Sequence, residues 1–160
     1  MKEKGERLYE PLTVDDLKTL REYGMAEHED FFRRNPHLKN AYYDNLIGIF
    51  LCQGAALHYL DPSVGINDFD IWHFYKESEE AGFPYRGHKR IEDGHKGRPI
   101  DFLKRAIPER IYVEFQGDIE RTVMEYLFKK DTKTKVMLLE KSIIGLYPEE
   151  IFSQILWTGS

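Results

Sequence analysis

Asn67-Asp68-Phe69-Asp70-Ile71-Trp72-His73-Phe74-Tyr75 is the stretch that decides how this chain is read. From Phe69 to Tyr75 it is too apolar and aromatic for a loop, and its length suits a strand. On a strand, residues i and i+2 project to the same face, so Asp68 and Asp70 stand side by side. Two uncompensated carboxylates among apolar neighbours are costly. A cation between them removes that cost, and hard oxygen ligands suit Mg²⁺, or Mn²⁺ in its place.

Upstream, Leu46 to Cys52 is a short apolar run that reads as a buried strand. Gln53-Gly54-Ala55 then turns the chain into a helix, Ala55–Leu60, which Asp61-Pro62-Ser63 and Gly65 end. Downstream, a third acid, Asp101, sits inside Pro99-Ile100-Asp101-Phe102-Leu103, within an expected strand from Arg98 to Ala106. A glycine turn, then Asp-x-Asp, then a lone Asp on a later strand is the order expected of a metal-dependent phosphoryl-transfer site.

The composition agrees with one packed domain: 160 residues, 41% hydrophobic and 32% charged. No stretch has the length of a membrane span and nothing near Met1 reads as a signal peptide. The single cysteine, Cys52, excludes an intramolecular disulfide and a cysteine-rich zinc site. These features lead us to expect a cytoplasmic protein with no membrane partner. The net charge of −5 is unevenly spread. Residues 51–84 carry six acids and one base, whereas residues 85–105 carry seven bases and three acids. The acidic block holds the Asp pair and the basic block surrounds Asp101, as a metal and a polyphosphate would require. His88 and His95 lie in the same basic block.

Outside this centre the expectations are helical. Thr13 is an N-cap with Asp15 and Asp16 in the first turn, and Gly24 a helix stop. A second helix is expected over Ala26–Arg34 and a third from His37 into Asn45. Tyr85 to Arg90 reads as a basic loop or loose hairpin, and Ile111 to Phe115 as a fourth strand. After Gly117, Ile119, Val123, Tyr126 and Leu127 mark one helix face. Val136, Leu139, Ile143 and Leu146 mark another, and Pro148 opens a last helix through Trp157. The expected organisation is an N-terminal helical segment (1–45), an α/β core (46–116) and a C-terminal helical segment (117–160), together one compact unit.

With those residues in place, the chain resembles the nucleotidyltransferase superfamily that includes polymerase beta and the minimal nucleotidyltransferases. The family pattern is a hydrophobic strand, a Gly-Gly or Gly-Ser turn into a helix, then Asp-h-Asp-h and a later h-Asp-h, where h is hydrophobic. Here these correspond to Ile47–Cys52, Gln53-Gly54-Ala55, Asp68-Phe69-Asp70-Ile71 and Ile100-Asp101-Phe102. The resemblance covers about residues 46–105 and implies an α+β fold with a small mixed sheet and flanking helices. It implies that Asp68, Asp70 and Asp101 hold Mg²⁺ or Mn²⁺ and carry catalysis, with Asp101 helping to deprotonate an acceptor hydroxyl. A nucleoside triphosphate is then the substrate, bound by the Gln53-Gly54-Ala55 turn, with Lys89, Arg90, Lys96 and Arg98 as phosphate-neutralising candidates. The acceptor (protein, RNA or a small molecule) is not legible. One departure stands out: Gln53 or Ala55 replaces a family glycine, according to how the turn is aligned. The alternative reading is a module of the same fold that lacks turnover and binds nucleic acid or a protein partner.

Overall fold

In the computed structural model, which describes residues 7–83, 89–129 and 138–159, the chain is a mixed α+β protein built on one six-stranded sheet. Three strands expected from apolar runs are present: β1 (Leu46–Cys52), β2 (Phe69–Lys76) and β4 (Arg98–Ile107). β3 (Lys89–His95) forms an antiparallel hairpin with β4. Lys89 and Arg90 therefore belong to a strand, while residues 85–88, His88 included, lie outside the described residues. The last two strands, β5 (Ser142–Tyr147) and β6 (Ile155–Trp157), complete the order β3-β4-β2-β1-β5-β6. β2 and β4 run parallel; every other neighbouring pair is antiparallel.

Helix α1 (Val14–Arg34) begins as expected. Thr13 and Asp16 form a reciprocal capping box that satisfies two orphan N–H groups. The expected stop at Gly24 is absent, and the two expected helices are one. Gly24 serves close approach instead: a Cβ there would lie 2.9 Å from Ile49 Cγ2 on β1. After α1 the expected third helix is broken into a 3-10 turn at Pro36–Leu38, α2 (Lys39–Tyr42) and a second 3-10 turn at Tyr43–Asn45. Helix α3 (Gln53–Leu60) follows β1 directly.

The remaining corrections lie after β4. Ile111 to Phe115, expected as a strand, falls in helix α4 (Glu109–Glu114) and its cap. Its alternation also fits a short helix that points Ile111 at the sheet and leaves Val113 in solvent. Helix α5 (Ile119–Lys129) is as expected, burying Val123 and Leu127. The helix expected through Ile143 and Leu146 is β5, and among the described residues the 3-10 turn Glu149–Ile151 and β6 follow Pro148 in place of the expected last helix. Val136 lies outside the described residues. Ser142-Ile143-Ile144-Gly145-Leu146-Tyr147 is buried on both sheet faces, which erases the alternation that marks a half-exposed strand. The C-terminal segment thus contributes two strands to the sheet and is not wholly helical.

The sheet has two covered faces. On one, α1 and α3 bury Leu17, Leu20, Ala55 and Ala56 against Ile49, Leu51, Phe69, Ile71, Ile100 and Phe102. On the other, α4 and α5 pack Ile111, Val123 and Leu127 against Phe50, Trp72, Phe74 and Ile107. Among the described residues no helix is long and apolar enough to cross a membrane.

Candidate metal centre

Cross-strand register brings the site together. Cys52 on β1 pairs with Asp70 on β2, Asp70 with Asp101 on β4, and Asp101 with Arg90 on β3. Directly paired residues share a face, so these four form one row across four strands. The row lies on the face that α4 and α5 cover further along. Asp68 precedes β2 and completes the cluster: one carboxylate oxygen from each of Asp68, Asp70 and Asp101 lies within 4.8 Å of the others. The alternation read from the sequence and the observed register therefore converge on the same three acids.

The electrostatics are those of a site short of positive charge. Burial, then the charges of Asp68 and Asp101, push the Asp70 carboxyl up to about 8, against the fields of Lys141 and Arg90. Asp68 is also raised, first by burial and then by Asp101. The buried Cys52 thiol is held well above its usual range by burial and by Asp70 beside it, which makes it an inert packing group. Three hard oxygen donors from three side chains, at mutual distances one cation can span, fit a Mg²⁺ or Mn²⁺ ion.

Arg90 supplies local compensation. Its Nη1 donates to Asp101 Oδ2 at 2.7 Å and lies 3.5 Å from Asp68 Oδ2, while Nε donates to Glu92 at 2.9 Å. The other basic candidates go elsewhere. Lys89, paired with Phe102 in register, points to the opposite face and bridges Glu27 and Asp30 of α1. Lys96 pairs with Glu10 and Asp16, and His95 also meets Asp16. Arg98 donates to the Asn67 carbonyl at 2.6 Å, bracing the backbone one residue before Asp68. Of the four basic candidates, the structure brings only Arg90 to the carboxylates.

The turn after β1 has a conformation that explains a glycine preference there. Gln53 adopts φ 60°, the left-handed region that glycine enters freely. Its side chain accepts a bond from Trp72 Nε1 at 3.3 Å, which draws it along the same face as Asp70. A Cβ on Gly54 would meet nothing within 4 Å, so the start of α3 is open there, and its N-cap, Cys52, offers no side-chain hydrogen bond. Ala55 is buried in the core below. Trp72 is fully buried, and the Arg105 guanidinium lies over its ring at 5.2 Å.

Lys141 was missed in the sequence. It lies just before β5, and Ser142 bridges to Gln53, so β5 pairing sets Lys141 beside the glycine turn. Its field on Asp70 is favourable. No local signal marks it, because the neighbourhood is created by a strand pairing between residues about ninety positions apart.

Compared with protein-family models, with curated proteins and with solved structures, the chain matches none.

Proposed function

We propose that this protein is a Mg²⁺-dependent nucleotidyltransferase that transfers a nucleotidyl group from a nucleoside triphosphate to an acceptor hydroxyl. The observation that carries the reading is the meeting of Asp68, Asp70 and Asp101 within 4.8 Å on one sheet face, next to the open turn at Gly54. In this reading the three carboxylates hold the metal, which when bound supplies charge neutralisation for the triphosphate and acidifies the acceptor hydroxyl. Asp101 helps take the proton from that hydroxyl, whose oxygen forms the new bond to the α-phosphorus as the bond to the β-phosphate oxygen breaks and pyrophosphate leaves. The first N–H groups of α3 face the triphosphate across Gly54, as helix N-termini do with phosphates. Arg90 and Lys141 flank the acids and limit their repulsion of the incoming anion.

A second reading, a binding module of this fold without turnover, is favoured by two observations: a glutamine stands in the left-handed turn, and an arginine is already seated among the acids. Incubation with α-labelled nucleoside triphosphates, Mg²⁺ and pooled protein, RNA and small-molecule acceptors separates the two. Label transfer that Asp70→Asn removes supports the enzyme. No transfer from any of the four nucleotides, together with RNA or protein binding that survives Asp70→Asn, supports the module.

A further inference from the structure

We infer that Arg90 is the resident counter-ion of the carboxylate cluster, bridging Asp68 and Asp101 in the metal-free protein and swinging away onto Glu92 when a divalent ion enters. This rests on the proposal that the cluster takes a metal. Nη1 sits 2.7 Å from Asp101 Oδ2 and 3.5 Å from Asp68 Oδ2, on two of the three carboxylates that would hold the metal. Guanidinium and ion cannot both use the same lone pairs. The Asp101 side chain is only 9% exposed, so its charge needs a partner at all times, whichever cation provides it.

The structure also supplies the way out. β3 is an edge strand of the six-stranded sheet, with no neighbour on its outer side among the described residues. The Arg90 side chain is 39% exposed and Glu92 is 78% exposed, and Nε already holds the Glu92 carboxylate. A rotation about that retained contact frees Nη1 without moving the backbone, which the β3–β4 ladder fixes at the Arg90–Asp101 pair. A doubly charged ion replaces a singly charged group at the same carboxylates, so the exchange is driven by charge. The released guanidinium remains at the rim of the site, positioned for an anion that arrives with the metal.

The test measures Mn²⁺ affinity by electron paramagnetic resonance on the full chain, in the wild type, Arg90→Gln, Arg90→Lys and Lys141→Ala, each checked for cooperative melting. Lys141 acts on Asp70 through its field, so Lys141→Ala removes a nearby charge without vacating a ligand oxygen. Direct competition predicts that Arg90→Gln tightens Mn²⁺ binding about tenfold, Lys141→Ala about threefold or less, and Arg90→Lys least. The Arg90 side-chain N–H resonance should also shift as Mg²⁺ saturates the wild type. Equal effects of Arg90→Gln and Lys141→Ala, or an Arg90 resonance unmoved at saturation, overturn the exchange while leaving the metal site standing. Mn²⁺ binding by Arg90→Gln alone overturns the exchange, because Arg90 then never yields its place to the ion, and overturns the proposed enzyme with it. No Mn²⁺ binding by any of the four proteins overturns both.

Discussion

Asp70 carries the sharpest expectation at the scale of a single residue. Its carboxyl is raised from 3.8 to about 8 in the fold, so the metal-free native state prefers the proton more strongly than the unfolded chain does. Stability from that preference is complete below the unfolded value and is lost as pH rises through the folded one. The melting temperature of the metal-free protein should therefore fall between about pH 4 and pH 8. Asp70→Asn should flatten that decline. At pH 8, Mg²⁺ at ten times its Kd should add about 1.4 kcal/mol, or about 3–6 °C, to the wild type and nothing to the variant. Gln53 gives a second test. A non-glycine residue at φ 60° costs on the order of 1 kcal/mol, roughly what the bond from Trp72 returns. Gln53→Gly should then melt within about 1 kcal/mol of the wild type, and Gln53→Val should lose about 2 kcal/mol, because a β-branched side chain suits that conformation least. Chemical denaturation resolves both.

Among the elements, α1 shows how one residue type can be read two ways. A glycine late in an amphipathic pattern is the ordinary mark of a helix end. Here Gly24 lies inside a helix of 21 residues, and its lack of a side chain lets α1 settle on Ile49 and Ile71. The same contact lets the Gly24 carbonyl meet His73 Nε2 at 2.9 Å, satisfying one nitrogen of a buried imidazole. Gly24→Leu gains about 1 kcal/mol in helix propensity. It forces a Cβ to 2.9 Å from Ile49 Cγ2 and more atoms beyond it, an overpacking cost of about 1–3 kcal/mol or more. The net expectation is a lower melting temperature with unchanged helix content by circular dichroism. The C-terminal elements teach the converse lesson. Ile143 and Leu146 fit a helical spacing, yet full burial on both faces makes that run a strand, since a central strand has no polar side to betray its period.

At the scale of the whole molecule, one buried charge network ties α1 to the sheet. Lys104 on β4 donates to Glu27 Oε2 at 2.7 Å with both side chains 1% exposed, and Arg34 and Lys89 reach the same carboxylate from the rim. Burial lowers the Lys104 ammonium, while Glu27 opposes that shift. Glu27 has three cationic neighbours, and its carboxylate is the acid to which the buried Lys104 ammonium donates. Glu27→Leu should cost about 3 kcal/mol or more. Lys104→Met should cost less, because Arg34 and Lys89 continue to neutralise Glu27. The double variant should recover much of the Glu27→Leu loss, which a double-mutant cycle in urea measures.

The local signals that survived folding are those whose physics is local. Thr13 and Asp16 cap a helix start through bonds three residues apart, and Phe69 to Tyr75 is a strand by its own apolar run. The side of the sheet on which Asp70 lies follows from a period of two. The sequence also carries the order of the three acids and the turn, and the β2–β4 register then sets Asp70 beside Asp101. The destinations of the basic residues are not written locally. Lys89 and Arg90 are adjacent in sequence, yet strand alternation sends one to the acids of α1 and the other to Asp101. Lys141 comes to the site only because β5 pairs with β1 across most of the chain's length. A charge acts through space, so its partner is set by packing. Tertiary structure alone decided which cations face the three aspartates.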